Sequence, residues 1–234
     1  MSDIVKYKVK TLSNLFIGGA PLPFEIGGID QQTTLDQEGY PYIPASSEKG
    51  SVRSIVHEDN SDEKTAITKL YTEYLKSEEI KNRDKIKTLV KEDEALARVR
   101  ERYKEAQNAV SAEYLFGISG FNNTPKLMFS DLRLCEKFRD EKSCFSIDMK
   151  NSITANGTTL TSNPRTYKAA RSGLTFTGEI RLHKIDALGK GAEQLCKDYI
   201  IYILKKFNEG IYRLGNSKSR GYGKIGVSIE TEEQ

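Results

Sequence analysis

Four stretches of this chain combine residue types that can meet a phosphate group. In Ile26-Gly27-Gly28-Ile29-Asp30 an acid follows two glycines. Glycine lets the backbone come close to a ligand, so the short carboxylate of Asp30 could reach a substrate or a metal ion. Aspartate is equally at home in plain turns, and residue type alone leaves that reading open. The next acid after Asp30, Asp36, sits in Asp36-Gln37-Glu38-Gly39, which reads as a turn. The second stretch is Pro44-Ala45-Ser46-Ser47-Glu48-Lys49-Gly50-Ser51-Val52-Arg53. Ser46 or Ser47 is a candidate N-cap, and a helix start leaves backbone N–H groups for a phosphate. Lys49 and Arg53 stand four apart, on one helical face. A capped helix with two surface bases is the plain alternative. The third stretch, Leu214 to Gly223, offers Lys218 and Arg220 as cationic arms around Gly221. It could form a backbone nest for phosphate. It is no P-loop, because it lacks that glycine–lysine spacing and precedes a strand. A connector is the alternative, and Tyr222 could stack on a base or pack on a sheet. The fourth, Asn163 to Arg171, carries Asn163, Arg165, Lys168 and Arg171 around Tyr167. It reads as an arm contacting nucleic acid or as a surface loop.

Regular elements must hold these stretches in place. Residues 4 to 12 alternate Val5, Tyr7, Val9 with Lys6, Lys8, Lys10, predicting a half-buried strand with a basic outer face. Glycines and prolines from Gly18 to Gly28 predict a long loop. Tyr40-Pro41-Tyr42-Ile43-Pro44 is extended, since a residue before proline leaves the helical region, and a helix follows through Val52, Ile55 and Val56. Residues 61 to 113 hold no Gly or Pro and predict an insertion of two or three helices, with Leu70, Tyr74, Leu89, Leu96, Val99 and Tyr103 as thin apolar stripes. Lys126 to Cys135 reads as a strand, Lys150 to Ser172 as a polar insertion, and Leu174 to Leu182 as a strand. Residues 190 to 208 predict an amphipathic helix with Leu195, Tyr199, Ile203 and Phe207 on one face. Lys224 to Ile229 is the last strand. Without its insertions the order is βαββαβ, the ferredoxin-like pattern.

Composition narrows the class. The chain has 234 residues, which suits one domain with insertions, and its 37% apolar content suffices for one core. A formal net charge of +3 excludes a generic polycation, so any nucleic-acid site must concentrate charge locally. No apolar run approaches the roughly 20 residues of a membrane span, and Met1-Ser2-Asp3 does not open a signal peptide. Cys135, Cys144 and Cys196 form no CxxC pair, which points to the cytoplasm and away from a disulfide framework. Cys196 falls on an apolar helix face as a small hydrophobe.

Taken in order, these segments resemble the RAMP superfamily of CRISPR proteins, in particular the repeated backbone subunit of Csm-like type III complexes. The likeness rests on Phe16-Ile17-Gly18-Gly19, on the Asp30 loop, and on Tyr42 through Arg53, which resembles an "IPGSSxKGxxR" helix start. It continues in Leu115-Phe116-Gly117 with Phe129-Ser130-Asp131, in Lys150-Asn151-Ser152-Ile153 with Asn163-Pro164-Arg165, and in Ser219-Arg220-Gly221-Tyr222-Gly223. Ala45 departs from the usual glycine, Glu48 sets an acid beside the lysine, and Phe16 stands where relatives often have histidine.

The resemblance implies an α+β fold over residues 1–234: a ferredoxin-like (RRM-like) palm, a helical insertion near 61–113 and a protruding thumb near 150–172. It implies copies of the chain stacked as a filament along a CRISPR guide RNA, beside other type III effector subunits. Ser46, Ser47, Lys49, Arg53, Asn163, Arg165, Lys168, Arg171, Lys218, Arg220 and Gly221 would contact RNA. Asp30 would promote cleavage of complementary target RNA with a divalent metal, Mg or Mn, as ligand or as base. A scaffold that binds guide RNA without cutting is the alternative expectation. A guide-processing nuclease would use a histidine base, and neither His57 nor His183 lies in a matching motif.

Overall fold

The computed structural model describes residues 3–19, 29–89, 93–140, 143–156 and 159–230. Gly27 and Gly28 of the Asp30 loop lie outside that set. The elements in chain order are β1 (Ile4–Thr11), β2 (Gln31–Gln32), α1 (Ala45–Glu58), α2 (Asp62–Leu89), α3 (Asp93–Asn108), β3 (Lys126–Phe129) and β4 (Arg133–Leu134). They continue with β5 (Phe145–Asn156), β6 (Thr159–Ala170), β7 (Thr175–His183), α4 (Ala192–Lys205) and β8 (Ile225–Ile229). One sheet has the order β3-β7-β1-β8, with β4 also on β7, and a second has the order β2-β6-β5. Counting only the palm strands, the first order is 2-3-1-4, the ferredoxin-like arrangement read from the sequence. Among the described residues no helix is long and apolar enough to cross a membrane.

By its contacts the chain divides into two compact units. The first comprises Met1–Val5, Val52–Met128 and Ile180–Ile203. Here the helical insertion packs through Ile67, Tyr71 and Leu75 of α2, all fully buried, while Leu70 and Tyr74 are only half-buried. The sequence placed the stripe one residue away, and at about 100° per residue that error turns it off the core. The side chains of Leu89 and Leu96 lie outside the described set. Tyr71 donates to Pro125 O at 2.9 Å, and Tyr199 of α4 donates to buried Asp59 at 3.2 Å. The same burial pushes the Cys196 thiol up to about 12, so this cysteine is an inert core residue.

The second unit comprises Lys6–Ser51, Phe129–Glu179 and Leu204–Gln234. In β1, Tyr7, Val9 and Thr11 are buried while Lys8 and Lys10 are exposed, as the alternation predicts. Antiparallel β8 pairs Tyr7 with Ile229 and Thr11 with Ile225. The single strand expected from Lys126 to Cys135 is broken at Ser130-Asp131-Leu132. Leu132 turns away to exchange both backbone hydrogen bonds with Ile43, at 2.9 and 3.1 Å. The break frees Asp131 to accept the Ala45 N–H at 2.9 Å. The cap of α1 is therefore a carboxylate 86 residues downstream. This corrects the assignment of Ser46 or Ser47 as N-cap, because the helix starts at Ala45.

Removing that cap should have a measurable cost. Asp131→Ala lowers unfolding stability by about 1 kcal/mol, the usual worth of a helix cap. Denaturant unfolding checks it: the midpoint falls at constant slope, and an unchanged midpoint would make the Asp131 contact incidental.

Candidate nucleic-acid interface

The polar segment expected as a thumb is a long antiparallel hairpin. It starts at Phe145 rather than at 150, and β5 and β6 pair from Phe145↔Ala170 to Asn156↔Thr159. Its alternation sorts the candidate residues into two faces. Arg165 and Tyr167 fall on one face with Asp148 and Lys150, while Lys168 falls on the other with Ile147. Lys168 Nζ lies 4.0 Å from the centre of the Phe145 ring. The structure therefore separates Lys168 from Arg165. Asn163 lies on β6 opposite Ser152. Arg171 is exposed just past the end of β6.

Asp30 is fixed by this hairpin. β2 lies parallel to β6, with Gln31 beside Tyr167. One residue earlier, Asp30 N–H donates to Thr166 O at 3.0 Å, and Thr166 N–H donates back to Asp30 Oδ2 at 2.6 Å. Among the described residues Oδ1 accepts no hydrogen bond. The side chain is exposed beside an open cavity of about 370 Å³, lined by Phe16, Gly18, Gly19, Asp30, Gln31, Gln32 and Asn216. Gly19 lets the backbone pass close to the strand here: a Cβ would lie 3.0 Å from Thr33 O, a contact tight enough that the neighbour would have to shift. Asp36, by contrast, is spent on its turn, accepting Glu38 N–H at 3.0 Å and Tyr40 N–H at 2.9 Å.

The start of α1 offers less to a phosphate than its sequence suggests. Ala45 N–H is taken by Asp131, while Ser47 and Glu48 N–H donate to Pro44 O at 3.0 and 3.2 Å. Three of the first four donors are thus used. Ser46 is exposed and Ser47 and Lys49 are half-buried. Glu48 does not stand beside Lys49 toward RNA, as its sequence position implied. It is only 3% exposed and accepts a hydrogen bond from Tyr7, and its Oε2 has no partner among the described residues. Burial pushes its carboxyl up to about 8, against the lowering effect of the Tyr7 hydrogen bond. In the first unit, exposed Arg53 donates through Nε to Glu113 at 2.7 Å, and His57 shares the same carboxylate at 2.8 Å. Hydrogen bonding by His57, opposed by burial and helped by Arg53, holds the Glu113 carboxyl below the usual range.

The C-terminal loop packs on the same unit as Asp30. Lys218, Arg220 and Gly221 are exposed, with Gly221 in the left-handed region at φ 93°. Gly223 is obligatory, because a Cβ there would lie 1.9 Å from Leu214 O. Tyr222 packs against Phe16 and Ala169 at 8% exposure, which decides its role in favour of packing over base stacking. Its hydroxyl donates to Asp148, which also accepts from Ser146 at 2.7 Å and Asn14 at 3.1 Å. Burial opposes ionisation of Asp148, but these three hydrogen bonds and Lys150 outweigh it and hold the carboxyl below its ordinary value. Sequence reading missed Asp148 and Lys150. The available signal was the alternation from Phe145 onward, which puts both on the face of Tyr167.

Among the described residues no group of three His, Cys, Asp or Glu side chains is arranged to hold a metal. A self-sufficient protein cage is thus absent there. The donors that remain at the cavity, Asp30 Oδ1 with Gln31, Gln32 and Asn216, suit the binding habit of Mg²⁺. That ion takes one or two carboxylates and completes its shell with water and substrate phosphate oxygens.

Comparison with known proteins gives a consistent picture. The RAMP superfamily profile matches residues 8–226. A chain of a type III-B Cmr-beta complex, seen by cryo-EM bound to cognate target RNA, superposes with a TM-score of 0.54 at 19% identity, over 97% of this chain and 59% of that one. The protein here thus spans 59% of the length of that relative. A chain of apo type III-B Cmr-beta superposes with a TM-score of 0.50 at 12% identity, over 98% of each chain. At these identities the likeness concerns the fold. No curated protein sequence matches.

Proposed function

The chain belongs to the RAMP superfamily, and from that premise we propose that it is the guide-RNA-binding backbone subunit of a type III CRISPR effector complex and cuts complementary target RNA at Asp30. Guide RNA, target RNA, further copies of this chain and other effector subunits are its partners in this reading. The fold it shares with a Cmr-beta chain, whose own structure holds cognate target RNA, supports the RNA-binding half. One observation carries the catalytic half. Asp30 is held by Thr166 at the rim of an open cavity, with Oδ1 left for chemistry.

The reaction is in-line attack by the target's own 2′-hydroxyl. The 2′ oxygen bonds to phosphorus as the bond to the 5′ oxygen breaks, which leaves a 2′,3′-cyclic phosphate and a 5′-hydroxyl. The 2′ proton departs to a base and the 5′ oxygen gains one from solvent. Asp30 Oδ1 either takes that proton or holds a divalent ion. Such an ion, when bound, neutralises charge developing on the phosphate. Gln31, Gln32 and Asn216 supply amide hydrogen bonds around the backbone being cut. Guide pairing supplies the distorted geometry that in-line attack needs.

The assembled, guide-loaded complex should cut a labelled complementary RNA and leave 5′-hydroxyl products. EDTA should stop cleavage while target binding persists. Binding without cleavage in Mg²⁺ or Mn²⁺ would select the scaffold reading, in which the subunit only carries guide RNA. Absence of guide-dependent binding would overturn both.

A further inference from the structure

Lys150 lies on β5, on the hairpin face that carries Tyr167. Its ammonium sits between two aromatic rings, 3.8 Å from the centre of Tyr222 and 4.4 Å from that of Tyr167, and 3.4 Å from Ser217 Oγ. Ring faces attract a cation, yet they do not neutralise it. Among the described residues no carboxylate lies within salt-bridge distance of this ammonium. The closest candidate, Asp148, is spent on Asn14, Ser146 and Tyr222.

The surroundings add positive charge. Arg165 is the cross-strand partner of Lys150, and like charges in register destabilise a sheet. Partial burial and the Arg220 guanidinium both depress the ammonium's pKa, against the opposing pull of Asp148. The fold therefore sets two arginines near a partly desolvated lysine, and the neighbouring carboxylate, Asp148, is engaged by Asn14, Ser146 and Tyr222 and forms no salt bridge with the three cations among the described residues. The place is next to Asp30. Ser217 follows Asn216, which lines the Asp30 cavity, and Phe16 of that cavity meets Tyr167 edge-on at 5.3 Å.

We infer that Lys150, with Arg165 and Arg220 beside it, is a phosphate-holding site that seats the RNA backbone next to the Asp30 cavity. The ligand class is a phosphodiester. Its negative charge relieves the repulsion among the three cations, and the Ser217 hydroxyl donates a further hydrogen bond. Lys150 acts as a positioning residue, since it holds the strand on which Asp30 acts. This site rests on the RNA-binding reading of the chain.

The test is RNA affinity across a salt series for the guide-loaded complex, with wild type, Lys150→Met and Lys150→Arg. Methionine keeps the packing between the two tyrosines and removes the charge. One lost phosphate contact makes the log–log salt slope shallower by about 0.7 for single-stranded RNA, and arginine restores it. A Lys150→Met slope equal to wild type overturns the site while leaving the RNA-binding reading intact. Wild-type protein without salt-dependent RNA binding overturns both. Should Lys150→Met lose its cooperative thermal transition, acetic anhydride labelling of wild type decides instead. Labelling of Lys150 falls several-fold when RNA binds, and equal labelling with and without RNA overturns the site.

Discussion

Asp30→Ala slows single-turnover cleavage of guide-matched RNA by roughly 10²- to 10⁴-fold, the contribution of a positioned acid–base group, and leaves target affinity nearly unchanged. The reason is local. Asp30 lies at the edge of β6, exposed, with Oδ2 tied to Thr166 N–H at 2.6 Å. Its loss removes the only carboxylate lining the cavity among the described residues and no buried contact. The strand pairing of Gln31 and Gln32 with Tyr167 and Lys168 remains to hold β2 on β6. In the proposed reaction Asp30 acts at the chemical step, so the deficit is expected in the rate constant at saturating target and not in binding.

A second substitution separates charge from anchoring. Asn in place of Asp30 keeps an oxygen that can accept the Thr166 N–H, but it neither takes a proton nor binds a hard cation well. Asp30→Asn should therefore be as slow as Asp30→Ala. An active Asn variant beside a dead Ala variant would make Asp30 a backbone anchor. Wild-type rates in both would falsify the catalytic assignment, and cleavage lost together with target binding would place the role in structure.

Glu48→Gln makes stability nearly insensitive to pH over a range where the wild type weakens steadily. Glu48 is buried, and its carboxyl is raised from the ordinary 4.5 to about 8. Below the lower value it is neutral in both folded and unfolded chains, and its contribution is fully present. Between the two values the unfolded chain releases a proton that the folded chain keeps. Stability is lost there as pH rises, at about 1.4 kcal/mol per pH unit. Above the higher value Glu48 is ionised in the core and the loss is complete. Glutamine keeps the shape and an acceptor for Tyr7, so the slope from this group vanishes. Denaturant midpoints measured from pH 5 to 8 read the difference. Parallel curves for the two proteins would show that Glu48 is solvated. Asp148 cannot imitate this effect, because its carboxyl is depressed. Its stabilisation is lost as pH falls, on the acid side of the carboxylate range.

Much of this was legible in residue order. Alternation in Val5, Tyr7 and Val9 and the apolar face of Tyr199, Ile203 and Phe207 state their own partners, since period two and period 3.6 each define a buried side. The run from 61 to 113 without Gly or Pro announced two or three helices, of which α2 and α3 form, and the turn role of Asp36 followed from its neighbours. These are local facts, decided within a few residues. The six family segments gave the family and the candidate role of Asp30 for the same reason, as each is a short string.

What the tertiary structure alone decided depends on residues far apart in sequence. The cap of α1 comes from Asp131 because the strand breaks where Leu132 bonds Ile43. Glu48 left the surface for the core because Tyr7, 41 residues earlier, meets it there. Arg165 and Lys168, neighbours in one basic segment, point to opposite faces once their stretch becomes a strand. Tyr222 is buried by Phe16 and Ala169 and bonded to Asp148, partners that no local pattern names. Periodicity fixes which side of an element is inward. Only the packed chain fixes which side chain meets it there, and with that meeting comes the charge, the proton and the space left for a ligand.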